Sequence, residues 1–171
     1  GKPRCVVKIM LTRGPGNRGY RPPAIAETTR VVSSHPWPAE THGGITAQVC
    51  ELKLSIQPAL GGIKHLNRLE NVLARMEWSD PAVAEGLMLD LDGNVVGGTM
   101  TNLFMVDEKG FATPDLSTCG VAGVTRARML AAASRQGINC RIEPLSLGRV
   151  LGARELILVN SVIGAWPVRD I

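Results

Sequence analysis

Short apolar runs divided by tight-turn residues fill most of this sequence, and they constrain the fold more than any other feature. Asp92-Gly93-Asn94 stands between two such runs and is typical of a β-hairpin turn, as is Asp107-Glu108-Lys109-Gly110. Helical periodicity is limited to two longer stretches, from Lys64 or His65 to Met76 and from Val124 to Gln136. The pattern predicts a mixed α/β, or α+β, fold whose antiparallel-rich sheet carries its helices on the outside.

The predicted strands share apolar or β-branched residues bounded by turn signals. They are Cys5–Thr12, Glu27–Ser33, Ile45–Ser55, Gly86–Leu91, Asn102–Val106, Asn139–Ile142 and Glu155–Asn160. Within the first predicted helix, the spacing of the apolar residues predicts that one side is buried against the core. These residues are Leu66, Leu69, Leu73 and Met76. Gly137 is expected to cap the second helix, and a short third helix is expected after Ser146.

Composition argues against several classes of protein. Apolar residues make up 44% and charged residues 20% of the 171 positions, and no apolar run is long enough to cross a membrane. The net charge of +4 comes from scattered lysines and arginines, so nucleic-acid binding is not expected. The four cysteines lack metal-ligand spacing, so we expect no metal site and reduced thiols in a cytoplasmic protein.

Two segments could bind a ligand through groups of known chemistry. Lys64 follows the pair Gly61-Gly62 at the start of the first predicted helix. A surface lysine is the simplest interpretation, and a lysine that bonds covalently to a carbonyl compound is the alternative. In Gly120–Arg126, Thr125 opens the second predicted helix. Free backbone N–H groups at a helix start bind phosphate, although an ordinary helix start has the same sequence.

Two further segments are weaker signals. The strand end Val159–Gly164 indicates no chemistry by itself. The loop that contains Arg13, Arg18 and Tyr20 is rich in glycine, but it lacks the Gly-Lys-Ser/Thr ending of a phosphate-binding loop. Solvated arginines are the simple interpretation of this loop, and a clamp for a carboxylate is the alternative.

Taken in order, these segments resemble the fold-type IV pyridoxal-phosphate enzymes. The resemblance extends over about Val6–Val168, and its motifs are Leu60–Arg75, Gly86–Phe104, Thr113–Leu130 and Leu156–Val168. The family includes the branched-chain and D-amino-acid aminotransferases and a lyase that acts on 4-amino-4-deoxychorismate. Within it, Gly62–Leu73 and Thr12–Tyr20 look most like the lyase.

The resemblance implies that the cofactor is pyridoxal 5'-phosphate and that Lys64 is the catalytic lysine that bonds to it. The other cofactor-binding positions that it implies are Val121, Val124, Thr125, Asn160 and Ser161. Val121 would pack on the ring, while the backbone N–H groups of Val124 and Thr125 would hold the phosphate. Ser161 would bind the same phosphate through its hydroxyl, with Asn160 beside it.

The resemblance also implies a substrate and an assembly. Arg18 and Tyr20, with Arg13 assisting, would hold the carboxylates of a small dicarboxylate and would reach into the other subunit's site in a homodimer. The lyase likeness implies conversion of 4-amino-4-deoxychorismate to 4-aminobenzoate and pyruvate, a reaction of folate biosynthesis. A D-amino-acid or branched-chain aminotransferase stays open, as does a cofactor-free binding or regulatory relative.

Two departures from the family pattern accompany this likeness. Gly97 matches the position of a glutamate that faces the pyridine nitrogen in the family, so the electron sink would be weaker or another group would take this role. On the family pattern, we also expect most of the N-terminal small domain to lie outside this sequence. We therefore expect residues 1–17 to be its remnant, 18–26 an interdomain linker and 27–171 the large cofactor-binding domain.

Overall fold

The structure is a computed structural model that describes residues 4–39, 41 and 43–171. Contacts divide the chain into two compact units, Gly1–Ala39 and Glu40–Ile171. The first unit contains an antiparallel two-stranded sheet of β1 (Cys5–Thr12) and β2 (Thr29–Pro36). The sequence assigned β2 to the large domain from residue 27 onward, whereas β2 pairs with β1 inside the first unit. The division into a small and a large domain stays a prediction.

The second unit contains an eight-stranded mixed sheet with three helices among its described residues. Its elements are β3 (Ile45–Leu54), α1 (Leu69–Arg75), β4 (Val83–Asp90), β5 (Val95–Gly98), β6 (Asn102–Asp107), β7 (Gly110–Pro114), α2 (Val124–Arg135), β8 (Cys140–Glu143), α3 (Leu147–Leu151), β9 (Glu155–Asn160) and β10 (Gly164–Asp170). The strand order is β5-β4-β3-β10-β9-β6-β7-β8. The pairs β3–β4, β3–β10 and β7–β8 are parallel and the others antiparallel, which confirms the mixed fold class.

Both predicted hairpins are present. β4 pairs antiparallel with β5 across the turn that contains Gly93, and β6 pairs with β7 so that Asp107 faces Gly110. Strand β10 was not predicted, and its Pro167 is unusual in a central strand because proline cannot donate to a ladder. Here β10 lies between β3 and β9. Pro167 pairs with Ile157 of β9, and the pairing of β10 with β3 shifts register between Val168 and Asp170.

The prediction for α2 is confirmed and the prediction for α1 is wrong in two respects. Helix α2 ends at Arg135, and Gly137 follows with a φ of 71°. Helix α1 begins at Leu69 rather than at Lys64 or His65. Its predicted core-facing residues are exposed instead, with exposed fractions of 60% for Leu66, 62% for Leu69, 45% for Leu73 and 73% for Met76.

Two apolar clusters form the core of the second unit. The larger one joins β4, β6 and β9 through residues such as Leu87, Leu103 and Leu158, each of which has no exposed surface. The smaller one lies beside α1 and contains Cys50, Trp78 and Met88, among others. Burial of one such large side chain contributes about 1.5–3 kcal/mol. No helix in the described part of the chain has the length and apolar character needed to span a membrane.

All four cysteines are free thiols, as predicted. Cys50 and Cys119 are buried, and burial raises the pKa of the Cys50 thiol to about 12, with smaller contributions from Glu77 and Glu85. Burial is also the main cause that raises the pKa of Cys119. These thiols are therefore protonated, unreactive parts of the core at neutral pH.

Candidate active site

An open pocket of about 540 Å³ lies where the segment before α1 meets the start of α2. Lys64 and Arg128 are the charged residues of its lining, and both are cationic. The rest of the lining is small or apolar, namely Gly62, Val121, Ala122, Gly123, Val124, Ala127 and Ala131. The pocket therefore suits a ligand that combines an apolar body with anionic groups.

Two glycines fix the path of the chain just before Lys64. A Cβ on Gly61 would lie 2.2 Å from the carbonyl oxygen of Ser117, so only glycine allows this close approach. Gly62 has a φ of 76°, donates its N–H to the Gly120 carbonyl at 3.2 Å and accepts from the Ala122 N–H at 2.9 Å. These contacts hold the lysine segment against the loop that leads into α2.

The side chain of Arg68 explains why α1 starts late. Its guanidinium donates to the carbonyls of Ile63 at 2.7 Å and His65 at 3.1 Å, one on each side of Lys64. Because these carbonyls accept hydrogen bonds from a side chain rather than from a helical backbone, the chain around Lys64 forms no helix before Leu69. Partial burial lowers the pKa of Arg68 from its usual value. Arg68 is a positioning residue that sequence reasoning missed.

His65, next to Lys64, has a buried Nδ1 atom without a hydrogen-bond partner among the described residues. Buried polar atoms are satisfied in most native structures, so an orphaned atom needs an explanation. Its location beside the lysine is consistent with a ligand or a water molecule at this place.

The structure brings Thr125 and Ser161 together from distant parts of the chain. Their hydroxyl oxygens lie 3.3 Å apart, although 36 positions separate them in sequence. Thr125 lies in the first turn of the twelve-residue helix α2, whose N-cap residue, Gly123, has no side-chain capping bond. The first N–H groups of a helix have no intrahelical partner, and the helix dipole favours an anion there. Backbone donors and two hydroxyls therefore form a candidate phosphate site.

Two asparagines organise this candidate phosphate site. Asn160 Oδ1 accepts hydrogen bonds from the N–H groups of Val162 and Ile163 at 2.8 and 2.9 Å, which fixes the turn that carries Ser161. Asn102 donates to the Val121 carbonyl at 2.7 Å. A Cβ on Gly123 would lie 1.9 Å from Asn102 Oδ1, so this side chain packs directly on the start of α2. Asn102 was not predicted, although an amide within an apolar strand could have indicated it.

A buried carboxylate occupies the neighbourhood of Gly97. Glu85 has no exposed surface and accepts hydrogen bonds from Gly86, Thr99, Met100 and Thr101. The turn between β5 and β6 leaves no room for a side chain at position 97. The φ of Gly97 is 154°, and a Cβ there would lie 2.7 Å from the carbonyl oxygen of Thr101. Glu85 was also missed, and the signal was an acid within the apolar run of β4.

The arginine loop lies in the other unit. Arg13, Arg18 and Tyr20 belong to the connection between β1 and β2, and all three side chains are exposed. Among the predicted site residues, Lys64, Val121 and Val124 line the pocket, and Thr125 contacts Ser161. The roles predicted for the loop residues stay predictions.

Comparisons with known proteins agree on one family. The family described as Amino-transferase class IV matches residues 1–171. The aminodeoxychorismate lyase of Vibrio harveyi is 36% identical over 169 residues, which cover 96% of this chain and 62% of that protein. The putative branched-chain-amino-acid aminotransferase of Methanocaldococcus jannaschii is 31% identical, over 96% of this chain and 58% of that protein.

Solved structures show the same fold. The 4-amino-4-deoxychorismate lyase of Pseudomonas aeruginosa superposes with a TM-score of 0.92 at 46% identity, over 96% of this chain and 62% of that chain. The branched-chain amino acid aminotransferase of Escherichia coli gives 0.81 at 25% identity, over 97% and 55%. Another branched-chain amino acid aminotransferase, solved in complex with N-(5'-phosphopyridoxyl)-L-glutamate, gives 0.80 at 20% identity, over 98% and 55%. The chain thus spans less than two thirds of the length of these relatives.

Proposed function

Because the chain belongs to the class IV aminotransferase family, whose members use pyridoxal phosphate, we propose that it is part of a pyridoxal-phosphate-dependent carbon–oxygen lyase. The reaction is the conversion of 4-amino-4-deoxychorismate to 4-aminobenzoate and pyruvate. One observation supports the dependence on pyridoxal phosphate most. Lys64 and the uncapped start of α2 line the same pocket, and the Thr125–Ser161 hydroxyl pair lies at that helix start.

The described residues fit pyridoxal phosphate at two of its polar groups, the aldehyde and the phosphate. Lys64 supplies an amine for the aldehyde, and the start of α2 with two hydroxyls supplies donors for the phosphate. Val121 and Ala122 supply an apolar surface for the ring. At the ring nitrogen the fit is incomplete, because position 97 is a glycine without room for a side chain.

Lys64 performs two tasks in this proposal. Its Nζ atom binds the cofactor, which when bound supplies an electron sink beside the substrate's amino group. The substrate's amino group would displace Nζ from the cofactor, and the freed amine of Lys64 would then accept the proton from the ring carbon that bears this amino group. The bond between the ring carbon and the enolpyruvyl oxygen breaks, and the oxygen leaves with the electron pair. The released enol takes a proton to become pyruvate. The remaining ring is aromatic, which makes the step irreversible.

Similarity favours the lyase over an aminotransferase. The match to the Pseudomonas aeruginosa lyase has higher identity and TM-score than the match to the Escherichia coli aminotransferase. The aminotransferase is the second candidate because of the 31% identity to the Methanocaldococcus jannaschii protein. The products separate the two reactions. A lyase releases 4-aminobenzoate and pyruvate without any keto acid, whereas an aminotransferase forms an amino acid only when a keto acid is supplied.

The role of Lys64 is tested with Lys64→Ala and the matched control Lys53→Ala, an exposed lysine of β3. In the protein at its natural length, we expect Lys64→Ala to lose the visible absorption of bound cofactor and at least about 10³-fold in activity. Lys53→Ala should keep both. Borohydride reduction of the parent protein should attach the cofactor to the peptide that contains Lys64. Attachment to another lysine would contradict the assignment.

We also propose that the protein is a homodimer in which Arg18 and Tyr20, assisted by Arg13, bind the substrate's carboxylates across the subunits. Arginine suits this task because its planar guanidinium pairs bidentately with a carboxylate. Arg18→Ala and Lys64→Ala subunits, each inactive alone, should regain part of the activity when mixed, since one site of the hybrid keeps both residues. No recovery in verified hybrids would place Arg18 in its own subunit's site or outside catalysis.

A further inference from the structure

The first turn of α2 contains a buried arginine. Arg126 directly follows Thr125 of the candidate phosphate site and is 8% exposed. Its Nε atom donates to Thr113 Oγ1 at 3.0 Å, and its Nη2 atom donates to the Pro114 carbonyl at 2.8 Å. Both acceptors belong to β7 and are uncharged. The guanidinium is therefore hydrogen-bonded, but these two partners do not neutralise its charge.

Buried structure fixes the position of this charge. Thr113 accepts the hydrogen bond from Arg126 and donates its own hydroxyl hydrogen to the Leu103 carbonyl at 2.7 Å. Thr113 and Leu103 have no exposed surface. These bonds join the first turn of α2 to β7 and, through β7, to β6. Because both strand residues are buried, the guanidinium cannot leave without unpaired polar groups remaining in the core.

Among the described residues, no carboxylate forms an ion pair with Arg126. The ion pairs between arginines and carboxylates in this part of the chain lie in another cluster, around Asp107 and Glu143. Asp115 acts on Arg126 through its charge without pairing with it. The Asp115 carboxylate instead accepts hydrogen bonds from the N–H and hydroxyl of Ser117 at 3.0 and 2.8 Å. Arg126 is thus a buried cation whose counter-ion is not one of these carboxylates.

A buried cation at this place has two electrostatic costs. Removal of a charge from water without an opposite charge beside it is unfavourable, and burial accordingly lowers the pKa of Arg126 from its usual value. The helix dipole puts partial positive charge on the same turn, so a cation there is unfavourable as well. The first turn of α2 contains no acidic residue, and its N-cap, Gly123, has no capping side chain. An anion bound at the helix start would offset both costs.

We propose that Arg126 is a positioning residue whose charge makes the start of α2 selective for a dianionic phosphate group. This charge adds to the partial charges of the free N–H groups, while the hydroxyls of Thr125 and Ser161 supply directional hydrogen bonds. Because Arg126 is buried, solvent and salt screen its field less than that of a surface arginine. The inference rests on the phosphate site of the proposed function and is independent of the reaction.

The test compares Arg126→Met with Arg135→Met, which removes the same charge from an exposed position in the last turn of α2. Absorbance titrations of the protein at its natural length measure the dissociation constants of pyridoxal phosphate and of pyridoxal, which lacks the phosphate. We expect Arg126→Met to raise the first constant at least about 10-fold and the second less than about 3-fold. Arg135→Met should leave both within about 2-fold of the parent. Equal losses for the two ligands, or no loss in a folded Arg126→Met variant, would overturn the proposal.

Two further variants separate the charge of Arg126 from its hydrogen bonds. Arg126→Lys keeps the charge but lacks the planar fork, so pyridoxal phosphate should bind within about 3-fold of the parent. Binding as weak as that of Arg126→Met would exclude the charge as the cause. If circular dichroism shows that Arg126→Met does not fold, Arg126→Gln takes its place with the same expectation, because its amide keeps N–H donors for β7.

Inorganic phosphate distinguishes a failure of this inference from a failure of the proposed function. Isothermal titration calorimetry measures its affinity for the cofactor-free protein, and Arg126→Met should lower this affinity at least about 5-fold. If this loss occurs in a protein that forms no 4-aminobenzoate, the proposed function fails and the inference stands. If 4-aminobenzoate is formed and phosphate binding does not depend on Arg126, the inference fails and the proposed function stands.

Discussion

The start of α2 and the turn between β5 and β6 have similar local packing but different roles. At each, a glycine permits a close approach: a Cβ on Gly123 would meet Asn102, and a Cβ on Gly98 would meet Glu85. In the turn, the buried carboxylate is saturated by protein donors. At the start of α2, no side chain caps the helix. Polar groups that are satisfied internally stabilise the fold, and polar groups left available next to a pocket indicate a ligand site.

Glu85→Gln should have the largest effect on stability. The amide places an NH₂ group against N–H and O–H donors, which leaves buried donors unpaired, so we expect the free energy of unfolding to fall by about 2–4 kcal/mol. Urea unfolding measures this change. Glu155→Gln, at an exposed position of β9, is the control and should stay within about 0.5 kcal/mol. Similar values for the two variants would remove the structural role assigned to Glu85.

Gly97→Glu tests whether the turn between β5 and β6 has room for a carboxylate side chain that faces a ligand. Because φ is 154° and a Cβ would lie 2.7 Å from the Thr101 oxygen, we expect a loss of about 1–3 kcal/mol and no gain in transaminase activity. Gly148→Ala, in α3 with nothing within 4 Å, should instead be neutral or stabilising by up to about 1 kcal/mol. A stable Gly97→Glu protein with raised transaminase activity would show that the turn can open.

Ser161→Ala probes the other region, where we expect binding rather than stability to change. Removal of one hydroxyl from the candidate phosphate site should raise the dissociation constant of pyridoxal phosphate about 10-fold. The unfolding free energy without cofactor should change by less than about 0.5 kcal/mol. An absorbance titration measures the first quantity, and Ser134→Ala, an exposed serine of α2, is the control. A lower free energy of unfolding with unchanged cofactor affinity would mean that Ser161 stabilises the fold and does not bind the phosphate.

Asp107→Asn has the smallest expected effect on stability. It tests whether a carboxylate that is paired near the surface, rather than buried as Glu85 is, also stabilises the fold. Asp107 is bound by Arg149 at 2.5 Å and Arg141 at 2.8 Å near the surface, and these bonds, Arg149 first, lower its pKa from 3.8 to about 2. A lowered folded-state pKa means that the stabilisation is present above about pH 4 and is lost as the pH falls to about 2. The melting temperature of the parent should therefore exceed that of Asp107→Asn at pH 6 and match it near pH 2. A difference that stays constant over this range would exclude the carboxylate's charge as the cause.

The elements that the sequence predicted best are those whose signals are local. The turns at Gly93 and Gly110 bring their flanking strands together, and Gly137 ends α2 through its own positive φ. Lys64 could be singled out because two glycines precede it. Family likeness then related it to the start of α2, and the structure places both at one pocket.

What the sequence by itself determined about this protein was therefore the two hairpins and the course of α2, and it singled out Lys64 without locating it beside that helix. Only the tertiary structure decided where α1 begins, which side of it is exposed, and that Thr125 meets Ser161. The reason is physical: turn chemistry and helix capping act between neighbours in the chain. The burial of a helix face depends on what distant segments provide, and here Ser55 and Thr99 provide hydrogen-bond partners for Glu70 and Asn71 rather than an apolar surface.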